Sequence, residues 1–291
     1  MDCSVVYFKY VDFPILTHWV AKEILNAIAR GLDSIEVTLD LGLSREKVYI
    51  GDGEALLRDC VVDASLLESI REDRVYEVFG DNIVREITIH SEHVYKLKPV
   101  APDTAPTLEI NGVHMHRIVG VTPWIDSLLK VRSAHVKFGH DVLDTCMGLG
   151  YTAIHSLLAG AREVVTVEID PCVIEIARHN PWSRLLSSDE VTILNCSILD
   201  AVAMYDDKSF HRIIHDPPRF SRTTGDLYSL VLYREFYRLL KPGGILYHYT
   251  GEPGKHTSKN IVKGVGERLR RAGFIVRYDN RTKGYIAYKP L

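Results

Sequence analysis

The sequence predicts an α/β protein built on a Rossmann-like, doubly wound, mostly parallel seven-stranded sheet, with a smaller N-terminal α+β domain. Three observations carry that reading. From His140 onward, short β-branched runs alternate regularly with stretches of helical periodicity, the grammar of repeated β-α units. Before that point strands and helices mix without alternation. Between the two regimes, Pro99-Val-Ala-Pro-Asp-Thr-Ala-Pro106 places three prolines in eight residues, which favours an extended connector. The chain therefore reads as an accessory domain over 1–117 and a catalytic domain over 118–291.

In the first region, Pro14–Leu32 has apolar residues at helical spacing and ends by Gly31. Ser34–Asp40 alternates as a strand, and Lys47–Ile50 is a second strand before the turn signal Asp52-Gly53. Asp63–Glu72 reads as a short capped helix, and Val75–Phe79, Ile83–His90 and Val94–Leu97 complete a small sheet. Thr107–Arg117 reads as a hairpin around Asn111-Gly112.

In the second region the strands are Asp141–Thr145, Glu163–Glu168, Val191–Asn195, His211–Asp216, Ile245–Thr250, Phe274–Tyr278 and Tyr285–Tyr288. Helices read over Tyr151–Ala159, Pro171–Arg178, Leu227–Leu240 and Asn260–Arg271. In sheets of this kind, ligands bind beyond the carboxyl ends of the strands.

The chain has 291 residues, 46% hydrophobic and 25% charged, enough for two cores and far from a disordered composition. No apolar run approaches the ~20 residues that span a bilayer, so no membrane association is expected. The N-terminus lacks a basic segment followed by a long apolar one. Five scattered cysteines without C-x-x-C spacing argue against a disulfide framework or a structural zinc, and a reducing cytoplasm fits best.

The formal charge of −3 conceals an asymmetry: residues 1–115 hold 11 Lys and Arg against 20 Asp and Glu, whereas residues 116–291 hold 24 against 18. The basic half suits a polyanion, and the acidic half does not unaided.

The cofactor site reads from Val142-Leu-Asp-Thr-Cys-Met-Gly-Leu-Gly-Tyr-Thr-Ala153. Gly148 and Gly150 allow a tight strand-to-helix turn and close backbone approach to a ligand. Glu168 ends the next strand, 18 residues after Gly150, where a carboxylate accepts hydrogen bonds from both hydroxyls of a ribose. Together they suit an adenosine. Asp144, just before the glycines, is awkward beside a pyrophosphate but suits the ammonium of a methionine moiety.

Here the sequence resembles the class I S-adenosylmethionine-dependent methyltransferase superfamily, over about residues 118–291. The resemblance implies S-adenosyl-L-methionine as cofactor, held by Asp144, Gly148, Gly150, Glu168 and Ile169. At the end of the third strand that superfamily places an acidic or amide residue on the adenine amine. This chain has Asn195-Cys196-Ser197, so Asn195 or Ser197 takes the role, with Asp216 also bordering the cofactor.

The acceptor site reads from Ile213-Ile-His-Asp-Pro-Pro-Arg-Phe-Ser221. It resembles the [D/N/S]-P-P-[Y/F/W] motif of methyltransferases that modify exocyclic amines of nucleobases. A base amine is a poor nucleophile because its lone pair is delocalised into the ring. Asp216 and the carbonyl of Pro217 would each accept one N–H and aim the lone pair. Pro217 and Pro218 stiffen the loop, and an aromatic stacks on the exposed base. Arg219 stands at the aromatic position and Phe220 follows, so both would hold the base. With His248-Tyr-Thr-Gly251, the stretch His215–Ser221 is also similar to a family of predicted archaeal methyltransferases, over most of the chain.

After Thr250 ten Lys and Arg accumulate, among them Lys255, Lys259 and Lys263 at i, i+4, i+8. With Arg219 and Arg222 beside the acceptor loop, they suit a phosphate-tracking surface, Arg219, Arg222 and Lys255 being the substrate contacts.

The expectation is a cytoplasmic RNA methyltransferase acting on an exocyclic base amine in ribosomal or transfer RNA, cytidine N4 of ribosomal RNA foremost. The N-terminal domain would dock RNA or form a homodimer. A polyamine aminopropyltransferase, a protein methyltransferase and a silent RNA-binding scaffold are the alternatives. No metal is expected: His90-x-x-His93 and His114-x-His116 read as lacking acidic or cysteine partners nearby. Cys146 reads as a packing residue. Trp124 either packs a core or lies over the methionine end of the cofactor.

Overall fold

A computed structural model describes residues 3–251 and 258–291. The chain divides into two compact units. The larger comprises Met1–Phe8, Ile125–Pro171 and Leu186–Leu291, and the smaller Lys9–Trp124 and Cys172–Leu185.

The larger unit is built on one sheet. Its elements in chain order are β1 (Ser4–Val6), α1 (Pro123–Ser133, whose first two residues lie in the smaller unit), β2 (Asp141–Asp144) and α2 (Tyr151–Leu158). Next come β3 (Glu163–Glu168), α3 (Pro171–Arg178, which crosses into the smaller unit after Pro171), β4 (Val191–Asn195) and β5 (Phe210–His215). The chain closes with α4 (Leu230–Leu239), β6 (Leu240–Tyr249), α5 (Ser258–Arg271), β7 (Ile275–Asp279) and β8 (Gly284–Tyr288).

The sheet runs β1-β4-β3-β2-β5-β6-β8-β7. Strands β4, β3, β2, β5 and β6 pair in parallel, while β1, β8 and β7 are antiparallel. The order reverses at β2, which lies between β3 and β5, so a crevice opens at the carboxyl ends of those strands.

Both faces of the central strands are covered, and they read as apolar runs for that reason. Leu143, Val165, Ile213 and Leu246 pack with Leu232 and Phe236 of α4 and Leu269 of α5 in one core. Each such side chain contributes roughly 2 kcal/mol on burial. Helix α4 turns its Leu232, Tyr233, Phe236 and Leu239 inward, and the Ser229 hydroxyl caps it by accepting from Leu232 N at 3.1 Å.

The sheet has eight strands rather than the expected seven, because Ser4–Val6 adds to the outer edge of β4 with Ser4 opposite Asn195. That register brings Cys3 beside Cys196, and the two form a disulfide with Cα atoms 4.9 Å apart, 193 residues apart in sequence. The expectation of no disulfide is corrected here: pairing set by tertiary register leaves no spacing signature.

The break at 117 also misses two transfers between units. Residues up to Phe8 join the larger unit through this strand. Residues 172–185 join the smaller, in which Val11 N bonds Arg178 O at 2.8 Å and Trp182 Nε1 donates to Leu41 O at 3.0 Å.

The smaller unit packs helix His18–Ala29 with a four-stranded antiparallel sheet, Ser34–Val37, Glu46–Gly51, Glu54–Leu57 and Cys60–Asp63. A second sheet joins Ile15–Leu16, Tyr76–Gly80 and Ile83–Glu86, and a third joins Thr88–His90, Val94–Lys98, Thr107–Ile110 and Val113–His114. The first helix starts at His18, not Pro14, because Ile15 and Leu16 pair with Glu77 and Tyr76. The Asp63 side chain caps helix Ala64–Ser69, accepting from Leu66 N at 2.7 Å. Asn111 and Gly112 both take positive φ, the geometry of a two-residue hairpin turn. His114 Nε2 lies 3.0 Å from Glu109 Oε2, so this histidine has an acidic neighbour that the sequence reading missed. No helix among the described residues is long and apolar enough to cross a membrane.

Replacing Cys3 by Ala should lower unfolding stability by about 2–4 kcal/mol under oxidising conditions. Denaturant melts should show the deficit disappear in reductant; a deficit unchanged by reductant would contradict the role of the bridge.

Candidate active site

Strand β2 ends at Asp144, beside the strand ends of β3 and β5. Its side chain is fully buried and accepts from Thr152 Oγ1 of α2 at 2.8 Å and from Thr166 Oγ1 of β3 at 2.7 Å. Burial pushes its carboxyl up to about 7, against the pull of those two hydroxyls, with the charges of Asp216 and Glu168 adding to the rise.

The turn that follows is made by two glycines in the left-handed region. Gly150 has φ +79°, and a Cβ there would lie 2.5 Å from Leu186 Cδ1. Gly148 has φ +54° and open space where its Cβ would be, so its backbone is accessible to a ligand.

Strand β3 ends at Glu168, whose carboxylate faces this turn. Oε2 accepts from Gly148 N at 3.0 Å and Oε1 from Asp170 N at 3.0 Å. Burial raises its carboxyl to about 7 against the pull of those backbone N–H groups. Beside it Ile169 is 62% exposed, an apolar surface at the rim of the crevice.

Asn195 closes β4 and donates its amide to Glu168 O at 2.7 Å and Ile169 O at 3.2 Å. It therefore holds the segment that carries Glu168. The Ser197 hydroxyl caps the short helix Ile198–Ala201, accepting from Leu199 N at 3.2 Å.

The acceptor loop leaves β5 after His215. Because β2 and β5 pair in parallel with Asp144 opposite Ile214, Asp216 emerges just beyond Asp144 on the adjacent strand. Asp216 Oδ2 accepts from Lys130 Nζ at 2.7 Å. Lys130 comes from α1, 86 residues away, and is almost fully buried. It also lies 2.8 Å from Asp126 Oδ2, one helical turn back, and 4.2 Å from the centre of the Tyr249 ring. Sequence reasoning missed this cluster; its signal was an Asp126–Lys130 i, i+4 pair, a spacing that usually marks a solvated face.

Burial raises the Asp216 carboxyl, and the Lys130 charge opposes that rise. The two aspartates outweigh the burial of Lys130 and hold its ammonium well above the ordinary range.

Pro217 is buried and Pro218 exposed. The Tyr228 hydroxyl donates to Pro218 O at 2.8 Å, pinning the loop from the turn before α4. Phe220, 47% exposed, meets the Tyr228 ring edge-on at 5.3 Å. Arg219 and Arg222 are exposed beside it, and Lys255 lies outside the described residues.

Behind the loop two histidines are buried in neutral form. His215 Nε2–H donates to Leu227 O at 2.8 Å while Thr145 Oγ1 donates to Nδ1 at 2.6 Å. His248 Nδ1–H donates to Tyr249 O at 2.8 Å and accepts from Tyr233 OH at 2.7 Å on Nε2. Burial lowers His215 to about 4 and drives His248 well below the ordinary value. With both nitrogens of each ring engaged, neither is placed as a general base. Burial, with the charge of Glu168 next, pushes the Cys146 thiol well up, so it is no thiolate nucleophile.

Trp124 packs on Trp182 at 4.9 Å within the smaller unit. No group of three His, Cys, Asp or Glu among the described residues is placed to hold a metal ion.

Buried acids at the ends of adjacent parallel strands, a glycine turn and a proline-stiffened loop have the form of an S-adenosylmethionine-dependent methyltransferase site, and comparisons with known proteins liken the chain to that class. The chain belongs to the family of the uncharacterized protein MJ1233 of Methanocaldococcus jannaschii, with 42% identity over 284 residues, 94% of this chain and 95% of that one. It is also 27% identical over 205 residues to ribosomal RNA large subunit methyltransferase I of Photobacterium profundum, covering 66% of this chain and 51% of that protein. The chain thus spans about half the length of that relative. The spermidine synthase of Thermotoga maritima shares the fold, with a TM-score of 0.54 and 18% identity over 74% of this chain and 78% of that one. No family model matches the chain.

Substituting Gly150 by Ala should destabilise the protein by about 1–3 kcal/mol, from positive φ and the clash with Leu186. An unchanged denaturant midpoint would contradict the crowding.

Proposed function

We propose that the protein is an S-adenosylmethionine-dependent RNA methyltransferase acting on an exocyclic base amine, with cytidine N4 of ribosomal RNA the first candidate. The observation that carries the reading is the adjacency of two sites. Asp144, the glycine turn and Glu168 lie at the ends of β2 and β3, and Asp216-Pro-Pro lies at the end of β5 beside them.

The cofactor fits the residues present. The open face of Gly148 admits close approach, and Asp144 suits an ammonium. Each oxygen of Glu168 retains acceptor capacity for ribose hydroxyls, and Ile169 offers an apolar face to an adenine. Asn195 and Ser197 border that end. When bound, S-adenosylmethionine supplies an electrophilic methyl group.

On the acceptor side, Asp216 and the Pro217 carbonyl receive the amine N–H groups, and Phe220 with Arg219 holds the base. Arg219 and Arg222 suit flanking phosphates. In the larger unit a groove of about 520 Å³ is lined by Lys263, Arg270 and Lys283 against one acid, Glu267, which lies 3.8 Å from Lys263, so its net charge is positive, as a polyanion needs. The similarity to a ribosomal RNA methyltransferase supports the same substrate class.

Lys130 counts against aminopropyl transfer. Its ammonium already engages both Asp126 and Asp216, which removes acid that a polyamine would need.

Nucleoside mass spectrometry should show one methylated base missing from the RNA of a deletion strain. Wild type should restore it and Asp216→Ala should not. An unchanged profile across ribosomal and transfer RNA would sink the RNA reading and point to protein or small-molecule acceptors.

Affinity for S-adenosylmethionine should also depend on pH. Burial pushes the carboxyls of Asp144 and Glu168 up to about 7, and both must shed their protons to hold the ligand. Lowering the pH through 7 therefore weakens binding, by up to about tenfold per unit for each proton released. Equilibrium dialysis with labelled cofactor at pH 8 and pH 6 checks this; an affinity that is flat or stronger at pH 6 contradicts it.

A further inference from the structure

We propose that Lys130 is the positioning residue of the acceptor site: it grips one carboxylate oxygen of Asp216, keeps that group ionised, and leaves the other oxygen to receive the base amine. This inference rests on the base-amine reading above.

Lys130 is 2% exposed, and a lysine is almost never so buried unless paired. Its ammonium meets three neighbours: a hydrogen bond to Asp216 Oδ2 at 2.7 Å, an ion pair with Asp126 Oδ2 at 2.8 Å, and the Tyr249 ring at 4.2 Å. So enclosed, the ammonium is shut off from substrate and acts through Asp216.

Asp216 is held asymmetrically. Oδ2 is held, whereas Oδ1 takes no hydrogen bond among the described residues, and the side chain keeps 18% exposure. A carboxylate fixed on one side and open on the other is the geometry of a one-point acceptor. A carboxyl that became protonated would instead present an O–H and could no longer receive the N–H.

Asp126 and Lys130 face Asp216 from α1, Asp144 and Cys146 from the β2 side, Tyr228 from the turn before α4, and Tyr247 from β6, with the Tyr249 ring of β6 against Lys130. Of these Lys130 is the cation; the acids and burial push Asp216 toward protonation. The ammonium opposes that push.

The decisive experiment is a carboxyl titration by ¹³C NMR on aspartate-labelled protein, with the Asp216 signal assigned by its loss in Asp216→Asn. Lys130→Met should raise the Asp216 titration by about one pH unit or more, and Asp126→Asn should lower it, because one removes a neighbouring cation and the other a neighbouring anion. If Lys130→Met fails to fold with Asp126 left uncompensated, the double variant Asp126→Asn/Lys130→Met is compared with Asp126→Asn and should titrate higher.

The acid limb of kcat for RNA methylation should move in the same opposite directions, with cofactor affinity at pH 8 within about twofold of wild type. Shifts of the same sign, or loss of kcat with no shift, would make the cluster a structural tie and overturn the proposal. Opposite NMR shifts without any RNA methylation would leave the grip of Lys130 on Asp216 standing and overturn the base-amine reading instead.

Discussion

Burying a carboxylate costs several kcal/mol unless hydrogen bonds or an opposite charge replace its water. Besides Asp126 and Asp141, the larger unit buries or half-buries three at the ends of neighbouring parallel strands, Asp144, Glu168 and Asp216. Each is compensated differently. Asp144 has two threonine hydroxyls, Glu168 two backbone N–H groups, and Asp216 the ammonium of Lys130. The compensation is incomplete, since burial still raises all three. A site in that condition favours a ligand that is cationic at one end and rich in donors elsewhere.

The sheet exists to place those acids. Reversal of strand order at β2 opens the crevice, and parallel pairing puts consecutive strand ends side by side. The elements around it serve as supports. Leu186 leaves no room for a side chain at Gly150, Tyr228 pins Pro218 O, and Asn195 holds the backbone that carries Glu168. The neutral histidines His215 and His248 fill the space behind the loop without adding charge to it.

Much of this was legible in the sequence where chemistry and local pattern coincide. The runs Glu163–Glu168, Pro171–Arg178 and Val191–Asn195 matched their elements residue for residue, because apolar strands end there in polar or turn-forming residues. Asp144, the glycines, Glu168 and Asp216 were visible as motifs. What escaped depends on tertiary register. Cys3 and Cys196 meet through an edge strand of three residues. Strands Glu54–Leu57 and Cys60–Asp63 turn at Arg58, which adopts positive φ without the glycine that would have announced it. Lys130 looked like an ordinary helix-surface cation, since its partner is 86 residues away.

Glu168 and the glycine turn are proposed to hold S-adenosylmethionine. Isothermal titration of the purified protein tests this most directly. The account expects saturable binding to wild type near one cofactor per chain, with affinity reduced at least about tenfold in Glu168→Ala, the loss of a charged hydrogen-bond acceptor for ribose. No heat with wild type, or undiminished affinity in Glu168→Ala, would contradict it.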